Sequence, residues 1–110
     1  MIDINESIWS VYDPDNILNY DRLSFDLNIL KFSGDIHPRE DLLQFEHQDT
    51  NCIIDFGFYG NEITLEGVWV VCVIDGKLKE AAWQHPLERI ESKSFLDGID
   101  NLHLMFKKYT

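Results

Sequence analysis

Positive charge is scarce in this sequence. Nine Lys and Arg stand against twenty Asp and Glu, for a net charge of −11. A phosphate backbone is gripped by clustered cations, so nucleic acid and anionic membranes are poor partners. Cysteine is scarce too. Cys52 and Cys72 lie on separate apolar runs where a small hydrophobe serves, and a bridge between them would require adjacent strands. No apolar run approaches the ~20 residues of a membrane helix. The first six residues, Met-Ile-Asp-Ile-Asn-Glu, carry acids where a secretory signal carries Lys or Arg, so a cytoplasmic location is expected. There is no Gly-x-Ser-x-Gly, no glycine-rich phosphate cradle opening a helix, and no calcium loop. His37, His47, His85 and His103 lack metal-ligand spacing; each reads as a surface or loop residue, with His103 at the edge of a helix face. Carboxylates are too many to single out a catalytic pair. No cofactor, metal or catalytic residue is expected.

What is present is ample apolar and aromatic content, 45% and 13%. A chain of 110 residues so composed folds as one domain, 1–110, rather than remaining disordered. Its organising stretch is Gly67-Val-Trp-Val-Val-Cys-Val-Ile-Asp75-Gly76. Seven consecutive apolar residues, four of them valine, read as a strand buried on both faces. Asp75-Gly76 supplies the chemistry of a tight hairpin, and Leu78, Glu80, Ala82 and Trp83 read as the returning strand. Leu87 to Ile90 reads as a short edge piece.

Upstream, Leu23, Phe25, Leu27 and Ile29 alternate with polar residues, and the phase slips near Leu30 in the manner of a β-bulge. Leu43 and Phe45 open a second strand, and Cys52 to Tyr59 a third, which sets Asp55 and Tyr59 on the face opposite Phe56 and Phe58. Glu62 to Glu66 opens the strand that the central run completes. Near the N-terminus, Ile4, Ile8, Val11 and Tyr12 are spaced as a helical stripe ended by Pro14, with a second short helical turn after Asn16.

The clearest helix begins after Ser94, an N-cap residue, and places Phe95, Ile99, Leu102, Phe106 and Tyr109 on one face. Asp97 and Asp100 lie near its positive end, Lys107 and Lys108 near its negative end. Gly98 weakens the first turn and reads as room for a strand. The expected fold is α+β: an antiparallel sheet of about five strands, with the C-terminal amphipathic helix and short N-terminal helices packed on it.

Charge is divided unevenly along this layout. Residues 1–75 hold fifteen acids and three bases, a balance of −12, and residues 76–110 hold five acids and six bases, a balance of +1. Acidity of this kind serves solubility. Concentrated in two-thirds of the chain, it also attracts a basic protein and speeds encounter with it. Asp35, Glu40, Asp41, Glu46, Asp55, Glu62 and Glu66 cluster near turns in the acidic part, and Tyr59 and Trp83 supply aromatic anchors beside loops.

The run from Gly67 to Gly76, followed by Trp83 and by Pro86-Leu-Glu-Arg89 leading into the helix, resembles small bacterial immunity proteins of polymorphic toxin and contact-dependent growth-inhibition systems. The resemblance spans residues 52–108 in layout, and size and acidity agree over the whole chain. It implies a non-enzymatic inhibitor that binds a cognate toxin domain, often a basic nuclease, and occludes its cleft with an acidic surface. It transfers no individual site residue. A monomer or weak homodimer is expected, an exposed strand edge being the route to the latter. The alternative class is a small α+β enzyme or ligand-binding domain with a pocket under the helix; a shifted pKa at Asp55 or His85 in such a pocket would favour it.

Overall fold

In a computed structural model the described residues are 2–3, 9–13, 24–25, 40–61, 63–64 and 66–109, with the side chains of 2–3, 24–25 and 79–81 left aside. Five antiparallel strands form the main sheet in the order β2-β4-β5-β6-β7. They are β2 (Trp9–Tyr12), β4 (Leu43–His47), β5 (Cys52–Gly60), β6 (Gly67–Asp75) and β7 (Glu88–Ser92). A separate pair joins β1 (Ile2–Asp3) to β3 (Ser24–Phe25). The helix α1 (Phe95–Tyr109) closes the chain and covers one face of the sheet.

β5 and β6 are central because their sequences allow it. They pair over nine residues, from Cys52 opposite Asp75 to Gly60 opposite Gly67. Alternation places Ile54, Phe56, Phe58, Trp69, Val71 and Val73 toward the helix, all buried. The glycine pair at the hairpin end has a backbone that side chains rarely adopt, with φ of 159° at Gly60 and 157° at Gly67. A Cβ at Gly67 would lie 2.3 Å from the Tyr59 carbonyl oxygen, so this crossing excludes any larger residue. Asn61 organises the loop: its Oδ1 accepts the Ile63 and Thr64 N–H groups at 2.9 and 3.1 Å.

Ser94 caps α1 as its position predicts, its Oγ accepting the Asp97 N–H at 3.1 Å. Phe95, Ile99, Leu102 and Phe106 are buried, joined by Gly98 and Met105. Two aromatic groups fasten the helix. Near its start, Phe95 meets Trp69 edge-on at 5.0 Å, and Trp69 stacks on Phe56 at 5.6 Å. Near its end, Phe106 meets Phe45 at 4.7 Å and Trp9 at 5.2 Å. Such pairs add roughly 0.5–1.5 kcal/mol each beyond the area they bury.

Three expectations are corrected. Val11 and Tyr12 belong to a strand, not a helix, because Trp9–Tyr12 pairs with His47–Gln44 on β4; residues 4–8 and 14–20 lie outside the described residues, as does the bulge expected near Leu30. Asp75-Gly76 is not a two-residue hairpin. Gly76–Trp83 is a 3₁₀ segment that packs on β5 and β6, and β7, at the edge as expected, takes the place beside β6 that the returning strand was expected to fill. Glu66 precedes the central strand, which begins at Gly67.

The 3₁₀ segment lies on the face away from α1. A Cβ at Gly76 would sit 3.2 Å from the Ile53 side chain, which points to that face. Val70, Ile74 and Ala82 are buried there without joining the helix-side core.

Gly98 tests the helix-to-sheet fit. A Cβ there would meet Phe56 and the Trp69 Cβ at 3.0 Å. Gly98→Ala gains about 1 kcal/mol of helix propensity and gives it back in crowding. Gly98→Val has no such margin and is expected to lose about 2–3 kcal/mol, read from urea unfolding midpoints; a Val variant as stable as the parent would refute the close approach.

Candidate functional site

The acids expected at the surface do not form one patch. Glu40 and Asp41 are exposed and stand just before β4, whose first residue Leu43 pairs with Phe56. This sets them at the sheet end that carries Tyr59. Tyr59 is half-buried, and burial raises its hydroxyl pKa, helped by the nearby Asp55, Glu40, Cys72 and Asp41. Asp55, Tyr59, Glu40 and Asp41 are therefore close enough to act on one another electrostatically. Among the described residues, none of the carboxylates of the exposed acids Glu40, Asp41, Glu46 and Glu66 takes part in an ion pair or a hydrogen bond.

Asp55 is placed differently from its expectation. It lies on the face away from α1, between Gln44 on β4 and Cys72 on β6, but it is only 4% exposed. A surface acid was expected; the structure has a covered one, so its carboxylate is not open to solvent as those of Glu40 and Asp41 are. Burial, with a smaller contribution from Asp41, raises its pKa to about 7. Its charge in turn helps to raise the Cys72 thiol, behind burial as the main cause and against a lowering by Arg89.

The remaining candidates are scattered. Glu46 is exposed farther along the same face, opposite Ile53. Glu66 is exposed at the β5–β6 loop, where its carbonyl accepts the Asn61 N–H at 2.8 Å. Trp83 is 49% exposed at the end of the 3₁₀ segment, and no hydrogen bond or ring contact joins it to the acids among the described residues. Asp35 and Glu62 lie outside the described residues. Trp69 is core, 3% exposed beneath the helix.

A second feature was not assigned residues from the sequence. At the opposite end of the sheet, on the helix side, a cleft of about 500 Å³ opens under the C-terminus of α1. Of its lining, His47 and Cys52 are buried, Asp75 and Tyr109 half-buried, and Lys77 and Leu87 exposed, at its mouth. His47 was expected to be a surface or loop residue. It is buried instead, edge-on to Trp9 at 4.8 Å. Its Nδ1 accepts the backbone N–H groups of Asp49 and Thr50, both at 3.2 Å, and so ends β4 in an ordered turn. Asn51 follows with φ of 60°, a left-handed conformation that Asn tolerates. Glu88 borders this end, accepting hydrogen bonds from Lys108 Nζ at 2.6 Å and from the Tyr109 hydroxyl at 2.8 Å. These two bonds, the one from Lys108 first, hold the Glu88 pKa low. Burial and the bond to Glu88 push Tyr109 up to about 12.

The cysteines are free. Their strands are adjacent, yet Cys52 pairs with Asp75 and Cys72 with Asp55, which puts the two thiols on opposite faces. Among the described residues no three His, Cys, Asp or Glu side chains are grouped to hold a metal ion, and no helix is long and apolar enough to cross a membrane.

The covered Asp55 has a thermodynamic consequence. Unfolded, it titrates near the ordinary aspartate value of about 3.9; folded, near 7. Between those values the folded state keeps a proton that the unfolded state has lost, so stability falls as pH rises through that window and levels off above it. The full drop is about 4 kcal/mol, at 1.36 kcal/mol per unit. Asp55→Asn is expected to flatten the profile between pH 4 and 8 and to be more stable than the parent at pH 8. Urea midpoints at each pH check this, and parallel profiles for the two proteins would contradict it. Compared with known proteins, the chain matches no family model, no curated protein and no solved structure.

Proposed function

We propose that the protein is an immunity protein, which binds a cognate toxin domain and blocks its active-site cleft with an acidic surface. The toxin is of the basic nuclease kind. One observation carries this reading: Glu40, Asp41, Glu46 and Glu66 are exposed carboxylates without an ion-pair partner among the described residues. A chain with nine bases cannot neutralise twenty acids internally. The surplus projects a field that draws in a cationic partner and sets its orientation.

Tyr59 supports the same surface. It is half-buried beside Glu40 and Asp41, so it offers a rigid amphipathic contact with little entropy left to lose. A lysine or arginine of the partner would then meet carboxylates at the rim and a ring at the centre. Occlusion needs no catalytic group, and the binding energy comes from displaced water and paired charge.

A second reading is favoured by the cleft under α1. Its volume lies in the range of small-molecule sites, roughly 300–1,000 Å³, and in this reading the domain binds a ligand there. Glu40, Asp41, Glu66 and Tyr59 lie at the end of the sheet away from the cleft, and Glu46 lies nearer the cleft on the other face.

Coexpression with the reading frame immediately upstream in a growth assay tests the inhibitor reading directly. With a toxin in hand, the combined change Glu40→Lys, Asp41→Lys, Glu46→Lys and Glu66→Lys is expected to weaken binding at least about a hundred-fold at low salt, because like charges then face each other. The remaining affinity should lose its dependence on ionic strength. Unchanged affinity and unchanged salt dependence would remove the electrostatic part of the proposal.

A further inference from the structure

We infer that the cleft under the C-terminus of α1 is a binding site for a small organic monocarboxylate with an apolar body. The inference stands on the second reading above and is independent of the inhibitor reading.

Charge is the first argument. The chain carries −11 overall, but the cleft lining holds two lysines, Lys77 and Lys108, against one acid, Asp75. The lining is thus net positive by one charge. Lys108 is already engaged by Glu88. Lys77 is exposed at the mouth, and among the described residues its ammonium has no acceptor. Asp75 does not pair with that ammonium; its Oδ1 accepts the Lys77 backbone N–H at 3.0 Å.

The second argument is a donor in the lining. His47 is 9% exposed and lines the cleft. Its Nδ1 accepts two backbone N–H groups, so by elimination that nitrogen carries no proton and Nε2 does. No acceptor for Nε2–H is found among the described residues. Nε2 is not closed off from solvent, so a carboxylate oxygen entering the cleft can accept its N–H. Thr50 adds a hydroxyl at the same site; its Oγ1 accepts the Cys52 N–H at 3.3 Å, which leaves its own proton to give.

The remaining walls define the rest of the ligand. Leu87 is 52% exposed at the mouth and gains cover from an apolar body. Cys52 adds a neutral wall, its thiol pKa raised by burial first and by Asp75 second. Asp75 in the lining and Glu88 beside it oppose a second negative charge on the ligand, so a monocarboxylate fits better than a phosphate dianion.

An NMR titration of the chain by itself tests this, with four probes at fixed ionic strength: hexanoate, acetate, hexanamide and inorganic phosphate. Hexanoate is expected to give saturable shifts at the amides of Thr50, Cys52, Lys77 and Lys108 and at the His47 Nε2–H resonance. Acetate should bind more weakly for want of the apolar body, and hexanamide at least about ten-fold more weakly for want of the charge. Lys77→Met, a change at an exposed position, should weaken hexanoate about ten-fold and leave hexanamide unaffected. Absence of saturable shifts with hexanoate overturns the proposal. So do hexanamide binding as well as hexanoate, phosphate binding more tightly than hexanoate, or shifts that map to other parts of the sheet. No toxin takes part in the experiment, so its failure and that of the inhibitor reading are separately visible.

Discussion

The seating of α1 on the β5–β6 pair is the constraint on which the rest depends. A helix needs something apolar to cover, and the nine-residue pairing of β5 with β6 supplies a surface of Ile54, Phe56, Phe58, Trp69, Val71 and Val73. The fit is close at one end, where Gly98 lets the helix backbone approach Phe56 and Trp69. It is filled by rings at the other, where Phe106 lies between Trp9 and Phe45. Because Trp9 belongs to β2 and Phe45 to β4, the helix ties the early part of the chain to the late part. Interiors packed at this density transmit small volume changes, which is why one added methyl group at position 98 is felt.

That seating also separates two environments on one sheet. The helix closes over its own face and ends at His47, Cys52 and Asp75, and the cleft forms where its last turn overhangs the sheet. Beyond the opposite end of β4 stand Glu40 and Asp41, with Tyr59 beside them. Lys77 and Lys108 meet at the cleft with Asp75, while the exposed acids Glu40, Asp41, Glu46 and Glu66 are spread over other parts of the sheet. In the two proposed readings, Coulomb attraction would steer a large basic partner to the exposed acids, and the lysines would set a preference of the cleft for a small anion. Asp55 lies between these as a group whose ionisation works against folding, a form of strain held by the packing around it.

Much of the architecture was legible because its periodicity was strong. Leu43 to Glu46 alternates cleanly, Cys52 to Tyr59 keeps Cys52, Ile54, Phe56 and Phe58 in one phase, and the helix after Ser94 has both its cap and its apolar stripe. The misreadings fell where a short segment satisfies two periods. Ile4, Ile8, Val11 and Tyr12 match a helical stripe, but pairing with the free edge of β4 makes Trp9–Tyr12 a strand. Leu78 to Trp83 mimics an alternating strand, yet the segment turns over the open face to bury Ala82, and Glu88–Ser92 takes the place beside β6. His47 was missed for a related reason: a histidine before a polar turn looks solvated until the turn folds its N–H groups back onto the ring.

The sequence by itself determined the class of fold, the central strand, the capped amphipathic helix and the concentration of acid in the first two-thirds. These are local matters of spacing, propensity and charge, and they survive without knowledge of neighbours. Tertiary structure alone decided the strand order, the opposite facing of Cys52 and Cys72, the burial of Asp55 and the meeting of His47, Lys77 and Tyr109 around one cleft. Each of these depends on register between segments far apart in the chain. A side chain's face is set by the parity of its own strand, but what lies over that face is set by elements elsewhere.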